Sequence, residues 1–139
     1  MKVKDAMTRG VRIIPAECSI REAAQHMKKY NIGTVAIGDV HNVIGVVTDR
    51  DITIRATAEG LDAAHASVRD IMTPSPYHAF EEQDIEDACL FMQEKHVRRL
   101  IILNWEREPV GLLSLDDVAG KARKRDLAGF VLSKMEDRN

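Results

Sequence analysis

The stretch VKDAMT at residues 3–8 returns as VRDIMT at residues 68–73, identical at four of six positions. Such a repeat narrows the possible folds at once. Each copy must form one supersecondary unit that cannot bury its faces alone and has to pack on another. The offset of 65 residues persists through Ile20 and Ile85, and through Met27 and Met92. After one inserted residue, VIGVVTDRDI at 43–52 matches PVGLLSLDDV at 109–118, setting Thr48 against Ser114 and Asp51 against Asp117. The chain therefore divides into a first repeat over 1–56, a small, polar linker over 57–67, a second repeat over 68–122 and a helical tail over 123–139.

Both repeats read in the same order. A short β-like run, GVRII at 10–14 or PYHAF at 76–80, precedes a helix. In that helix Ile20, Ala23, Ala24 and Met27, or Ile85, Ala88, Cys89 and Met92, keep the i, i+3, i+4, i+7 spacing of one face. Ser19 with Glu22 three residues on predicts a capping box. Two β runs follow, TVAIG and VIGVVT or LIIL and PVGLLS, and a closing helix begins within TDRD or SLDD. The predicted fold class is α/β (α+β): two tandem β-α-β-β-α repeats packed pseudo-symmetrically, since neither repeat is large enough to bury its own core. A C-terminal helix with Leu127, Phe130, Val131 and Met135 on one face completes it.

Composition removes several function classes. At 45% apolar and 30% charged residues the chain is an ordinary globular one, not a disordered tail. A net charge of −2 offers no basic field for nucleic acid, and KARKR at 121–125 reads as a solvated helix face. No apolar run nears the roughly 20 residues that span a bilayer, and MKVK leads into no signal-peptide core. Cys18 and Cys89 make no disulfide framework and no metal or redox spacing, which predicts a reducing, cytoplasmic setting. The five histidines, His26, His41, His65, His78 and His96, lack zinc-ligand spacing. Asp49 and Asp51, two apart at a helix start, do not converge on a metal, and no nucleophile–base set accompanies them. Neither a metal site nor catalysis is predicted, and no phosphate loop of the G-x-x-x-x-G-K-[ST] or G-x-G-x-x-G kind is present.

The chemistry lies in TDRD and SLDD. A Thr or Ser at a strand's end caps the following helix and can also donate to a ligand oxygen. The open N–H groups of the first turn favour a phosphate. A carboxylate three residues on sits one turn along and can accept both hydrogens of a ribose diol. Cap and first-turn acid are also what any helix start uses. The second copy weighs toward a ligand.

The V-x-D-x-M-T openings and the apolar-apolar-(Thr/Ser)-x-x-Asp closings, two copies in register over 3–122, resemble a CBS-domain pair, or Bateman module. The resemblance implies a non-catalytic regulatory module that binds an adenosine-containing ligand in clefts between the repeats. It assigns Val46, Thr48, Arg50 and Asp51 to one cleft with Thr73, Tyr77, His78, Arg98, Arg99 and Leu100. It assigns Leu112, Ser114, Asp116 and Asp117 to the other with Thr8, Val11, Arg12, Gly33 and Thr34. HVRRL at 96–100 supplies two guanidiniums, suited to holding phosphate bidentately. Its counterpart NIGTV at 31–35 supplies none, which leaves Arg12 as the cation there, and Asp116 adds a negative charge. AMP, ADP or ATP in the Asp51 cleft is therefore the expectation. S-adenosylmethionine or a dinucleotide, and a ligand-free dimerisation module, are the alternatives. The resemblance further implies a homodimer paired through the repeat helices, with the apolar side of 127–135 as added surface, and an unnamed regulated protein.

Overall fold

The chain forms two four-stranded sheets with helices laid on them. The computed structural model describes residues 1–120 and 125–136, and the side chains of the last helix from Ala128 to Met135. In chain order the elements are α1 (Val3–Ala6), β1 (Thr8–Arg9), β2 (Ile13–Ile14), α2 (Ile20–Tyr30), β3 (Thr34–Asp39), β4 (Asn42–Thr48) and α3 (Asp49–Asp51), which runs on as a π-helical turn over Ile52–Thr57. A single 3-10 turn at Val68–Asp70 leads to β5 (Thr73–Pro74), β6 (His78–Phe80), α4 (Ile85–Lys95), β7 (Arg99–Leu103), β8 (Pro109–Ser114), α5 (Leu115–Gly120) and α6 (Arg125–Glu136). One sheet has the order β2-β3-β4-β5 and the other, read from its far end, β6-β7-β8-β1. In both, the first pair is parallel and the rest antiparallel. Each central hairpin carries a register shift at the same place, Ile37/Gly38 and Ile102/Leu103. Among the described residues no helix is long and apolar enough to cross a membrane.

The compact units in space cut across the repeats. A middle unit comprises Arg12–Pro76, and an outer unit comprises Met1–Val11 with Tyr77–Asn139. Each V-x-D-x-M-T motif has left its own repeat to edge the sheet of the other: β1 pairs with β8, and β5 with β4. The docking bonds match position for position. Val3 N–H donates to the Gln83 carbonyl and Val68 N–H to the Cys18 carbonyl, both at 2.9 Å. The glycine in each long strand explains the methionine in each motif. A Cβ at Gly45 would run into Met72 Sδ, and one at Gly111 would come within 2.7 Å of Met7 Sδ and 2.8 Å of the Thr8 carbonyl. The bare backbone is what lets the exchanged segment lie down.

The two cores follow the helical spacing. In the middle unit Ile20, Ala23 and Met27 of α2 bury against Val35, Ile37 and Val47, with Val68 and Ile71 from the exchanged segment. In the outer unit Ile85, Ala88, Cys89 and Met92 of α4 bury against Leu100, Ile102 and Leu113, with Val3, Ala6 and Met7. Asn31 and His96 end these helices with φ of 52° and 56°. The next N–H closes the turn in each, Ile32 onto Met27 and Val97 onto Met92 at 3.0 Å.

Two expectations are corrected. The capping box at Ser19 is half formed. Ser19 Oγ accepts from Glu22 N–H at 3.1 Å, but among the described residues the Glu22 carboxylate returns no hydrogen bond to the Ser19 N–H. Burial first, and that carboxylate second, push the Cys18 thiol up to about 11. The tail helix is not a free apolar surface either. Ala128, Val131 and Met135 of α6 join the outer unit's core, packed with α4 and α5. Phe130 stands 51% exposed, because a residue one step from Val131 lies about 100° round the helix. The side chain of Leu127 and residues 121–124 of the KARKR segment lie outside the described residues.

Candidate functional site

In the middle unit, β4 delivers Thr48 to the sheet's end just as the chain turns into α3. Thr48 and Asp51 close a reciprocal box: Thr48 N–H donates to Asp51 Oδ2 at 2.9 Å, and Asp51 N–H donates to Thr48 Oγ1 at 3.1 Å. The Asp51 side chain keeps 15% of its surface. An ionised carboxylate offers about four acceptor positions, so the cap leaves lone pairs for a diol. Arg55, one turn on, sets Nε 3.7 Å from Asp51 Oδ1 and donates from Nη1 to the Ile71 carbonyl at 3.2 Å and to Met72 at 3.4 Å. Val46 lies opposite Thr73 in the ladder, and Thr34 opposite Thr48. The Gly33 carbonyl accepts from Asp49 N–H at 3.0 Å.

The outer unit repeats the arrangement. Ser114 N–H donates to Asp117 Oδ2 at 3.0 Å and Asp117 N–H donates to Ser114 Oγ at 3.1 Å. The second carboxylate oxygen accepts from the Thr8 hydroxyl at 3.4 Å. Thr8 reaches it because β1 pairs with β8, opposite Leu112. Arg99 lies opposite Ser114, and the Arg98 carbonyl accepts from Leu115 N–H at 3.1 Å. The exchange of opening segments thus joins Thr8 to Asp117 and Thr73 to the strand carrying Thr48.

The remaining expected residues are placed as follows. Val46, Thr48, Arg50, Asp51 and Thr73 stand in the middle unit with Arg12, Gly33 and Thr34. Thr8, Val11, Leu112, Ser114, Asp116 and Asp117 stand in the outer unit with Tyr77, His78, Arg98, Arg99 and Leu100. Arg98 and Arg99 are exposed, and among the described residues neither has an acidic partner. Arg50 and Asp116 are exposed, and Val11 is half-buried. Leu100 is in the core, so its backbone alone is left to meet a ligand. Arg12 is engaged, its guanidinium 3.7 Å from the Tyr30 ring centroid. Tyr77 stacks edge-on against Phe91, and His78 Nε2 lies 3.5 Å from Arg107. Arg55 is the site residue that sequence reasoning missed, although its i,i+4 spacing from Asp51 was a readable signal.

A β-α-β-β-α unit that ends its last strand in a Thr/Ser–Asp box, occurring twice, defines a CBS pair. The CBS domain family model matches residues 3–56 and 68–124, and the chain belongs to that family. It is a CBS-pair module of a kind that is generally regulatory. The CBS domain-containing protein YhcV of Bacillus subtilis is 32% identical over 137 residues, 99% of this chain and 96% of that one. Hypoxic response protein 1 of Mycobacterium tuberculosis is 31% identical over 129 residues, 92% and 90% of the two chains. A crystal structure of Hypoxic Response Protein I with two coordinated zinc ions has a TM-score of 0.71, covering 86% of this chain and 97% of that one. Among the described residues here, no three His, Cys, Asp or Glu gather to hold a metal. A CBS domain protein of Pyrobaculum aerophilum complexed with AMP has a TM-score of 0.78 at 26% identity, covering 93% and 99%. The CBS pair of protein MJ0100, in complex with 5'-methylthioadenosine and S-adenosyl-L-methionine, has a TM-score of 0.73 at 25% identity, covering 86% and 97%.

Proposed function

We propose that this module is a non-catalytic sensor of an adenosine-containing ligand, AMP, ADP or ATP, and that ligand binding regulates a protein partner. The observation that carries the reading is the pair of Thr/Ser–Asp boxes, each with a carboxylate at a strand-to-helix turn beside an exchanged strand. Asp51 and Asp117 are the ribose-binding acids. Arg98 and Arg99, exposed without acidic partners among the described residues, are the cations that the resemblance to CBS pairs assigns to the ligand's phosphate. Arg12, the cation that the resemblance assigns to the other ligand, is engaged with Tyr30. An AMP complex in the Pyrobaculum relative supports this ligand class. The S-adenosylmethionine complex of MJ0100 favours a second reading, a sulfonium nucleoside in place of a nucleotide. Two free cysteines suit a reducing compartment, the cytoplasm.

Calorimetry and thermal shift decide the matter. AMP, ADP or ATP is expected to bind with 1:1 stoichiometry at the tight site. At about 100 times its dissociation constant the ligand adds roughly 2.7 kcal/mol to the folded state. Two equal sites contradict the asymmetry, and indifference to every nucleotide leaves a pure interaction module. A shift with S-adenosylmethionine alone selects the second reading.

A further inference from the structure

Each of the two acids proposed to bind ribose is tied to an exchanged segment. In the outer unit, Asp117 Oδ2 takes the Ser114 N–H and Oδ1 takes the hydroxyl of Thr8, on the exchanged strand. In the middle unit, Asp51 Oδ2 takes the Thr48 N–H in the same way. Thr73, the counterpart of Thr8, makes no hydrogen bond to Asp51 among the described residues. The second oxygen faces Arg55 instead, with Nε at 3.7 Å. That guanidinium is itself fixed, because Nη1 bonds the carbonyls of Ile71 and Met72 on the exchanged segment. Those positions match Ala6 and Met7 through the offset of 65, so both acids are tied to the same part of an exchanged segment. One tie is a direct hydroxyl, and the other runs through an arginine.

We infer that Arg55 is a positioning residue for ligand binding at the Asp51 site, orienting the carboxylate through the carbonyls of Ile71 and Met72. The inference rests on the reading of Asp51 as a ribose-binding acid. A carboxylate pinned at one oxygen by Thr48 N–H still pivots about that bond. A cation at the other oxygen, anchored on two backbone carbonyls, stops the pivot and keeps the open lone pairs toward a diol. Lysine cannot replace it fully, since a single ammonium on a flexible stem cannot span the carboxylate and both carbonyls. The π-helical turn over Ile52–Thr57 carries Arg55, and such turns recur where a helix is shaped for function.

The test measures adenosine and AMP affinity by calorimetry on the full chain, for wild type, Arg55→Met, Arg55→Lys and Asp51→Ala, with chemical denaturation confirming that each is folded. Orienting the ribose-binding acid affects both ligands alike. Arg55→Met is expected to weaken adenosine and AMP by the same factor, roughly tenfold, comparable to one charge-assisted hydrogen bond. Arg55→Lys should fall between Met and wild type for both, and if the Met variant does not fold, the Lys variant decides. A loss confined to AMP overturns the inference, because it makes Arg55 a phosphate contact. Unchanged or tighter binding of both ligands, with Asp51→Ala still impaired, also overturns it while sparing the ribose-acid reading. If Asp51→Ala itself binds like wild type, the reading and the inference fall together.

Discussion

At the residue scale, Asp51 and Asp117 each cap a backbone N–H with one carboxylate oxygen, and in the proposed reading each also holds the ligand's ribose. Removing either carboxylate therefore costs the same local cap, about 0.5–2 kcal/mol of stability. Ligand affinity should separate them. Asp51→Ala is expected to lose charge-assisted hydrogen bonds of roughly 1.5–3 kcal/mol, on the order of ten- to a hundredfold in nucleotide affinity. Asp117→Ala should lose less. Titration calorimetry on both variants checks the order, and a larger loss at Asp117 would mean the dominant site has been assigned to the wrong unit. The cysteines take no part in this chemistry: burial holds the Cys89 thiol up at about 11, far from thiolate reactivity.

At the scale of elements, the exchanged opening segments are the joints of the molecule. The N-terminal segment is held to the outer unit by Lys2 Nζ and Lys4 Nζ, which donate to Glu82 at 2.7 and 2.8 Å. Those bonds hold the Glu82 carboxyl down at about 2, from an ordinary 4.5. A depressed acid stabilises the fold fully above its unfolded value and loses that contribution as pH falls through its folded one. Wild type should therefore melt above Glu82→Gln at pH 7, with the gap closing between pH 4.5 and 2. A gap that persists at pH 2 would assign the effect to something other than the carboxylate. The glycine–methionine contact is the other joint. Gly111→Ala is expected to cost about 1–3 kcal/mol, since the Thr8 carbonyl cannot step aside as a methionine side chain can. Urea denaturation gives the number, and a neutral substitution would show that β1 lies less tightly on β8.

For the whole molecule, the open question is self-association. The tail helix buries Ala128, Val131 and Met135 in the outer unit and leaves Phe130 exposed. Leu90, 56% exposed on α4, is an apolar side chain left outside. We expect a homodimer paired through the repeat helices, with Leu90 at the contact. Sedimentation equilibrium at tens of micromolar should return twice 15.6 kDa for wild type and a single 15.6 kDa for Leu90→Glu. A wild-type mass of 15.6 kDa removes the dimer. Truncation after residue 122 is a poor substitute, because it strips Ala128, Val131 and Met135 from the core.

The repeat, the order of strands and helices within it and the paired Thr/Ser–Asp boxes were all legible in the sequence. They rest on spacing along one segment: periods of 3.6 and 2, and a hydroxyl three residues before an acid. Arg55 was legible by the same rule as an i,i+4 partner of Asp51, though its anchors at Ile71 and Met72 were not. Tertiary structure alone decided that each V-x-D-x-M-T segment joins the other repeat's sheet, that Gly45 and Gly111 make room for Met72 and Met7, and that the Ser19 box closes on one side only. It also decided that α6 buries Ala128 and leaves Phe130 outside. Each of these depends on which surface lies opposite in space. Two copies of one motif offer near-equivalent edges to the same strand, so local preference cannot choose between them; closure of the whole chain does.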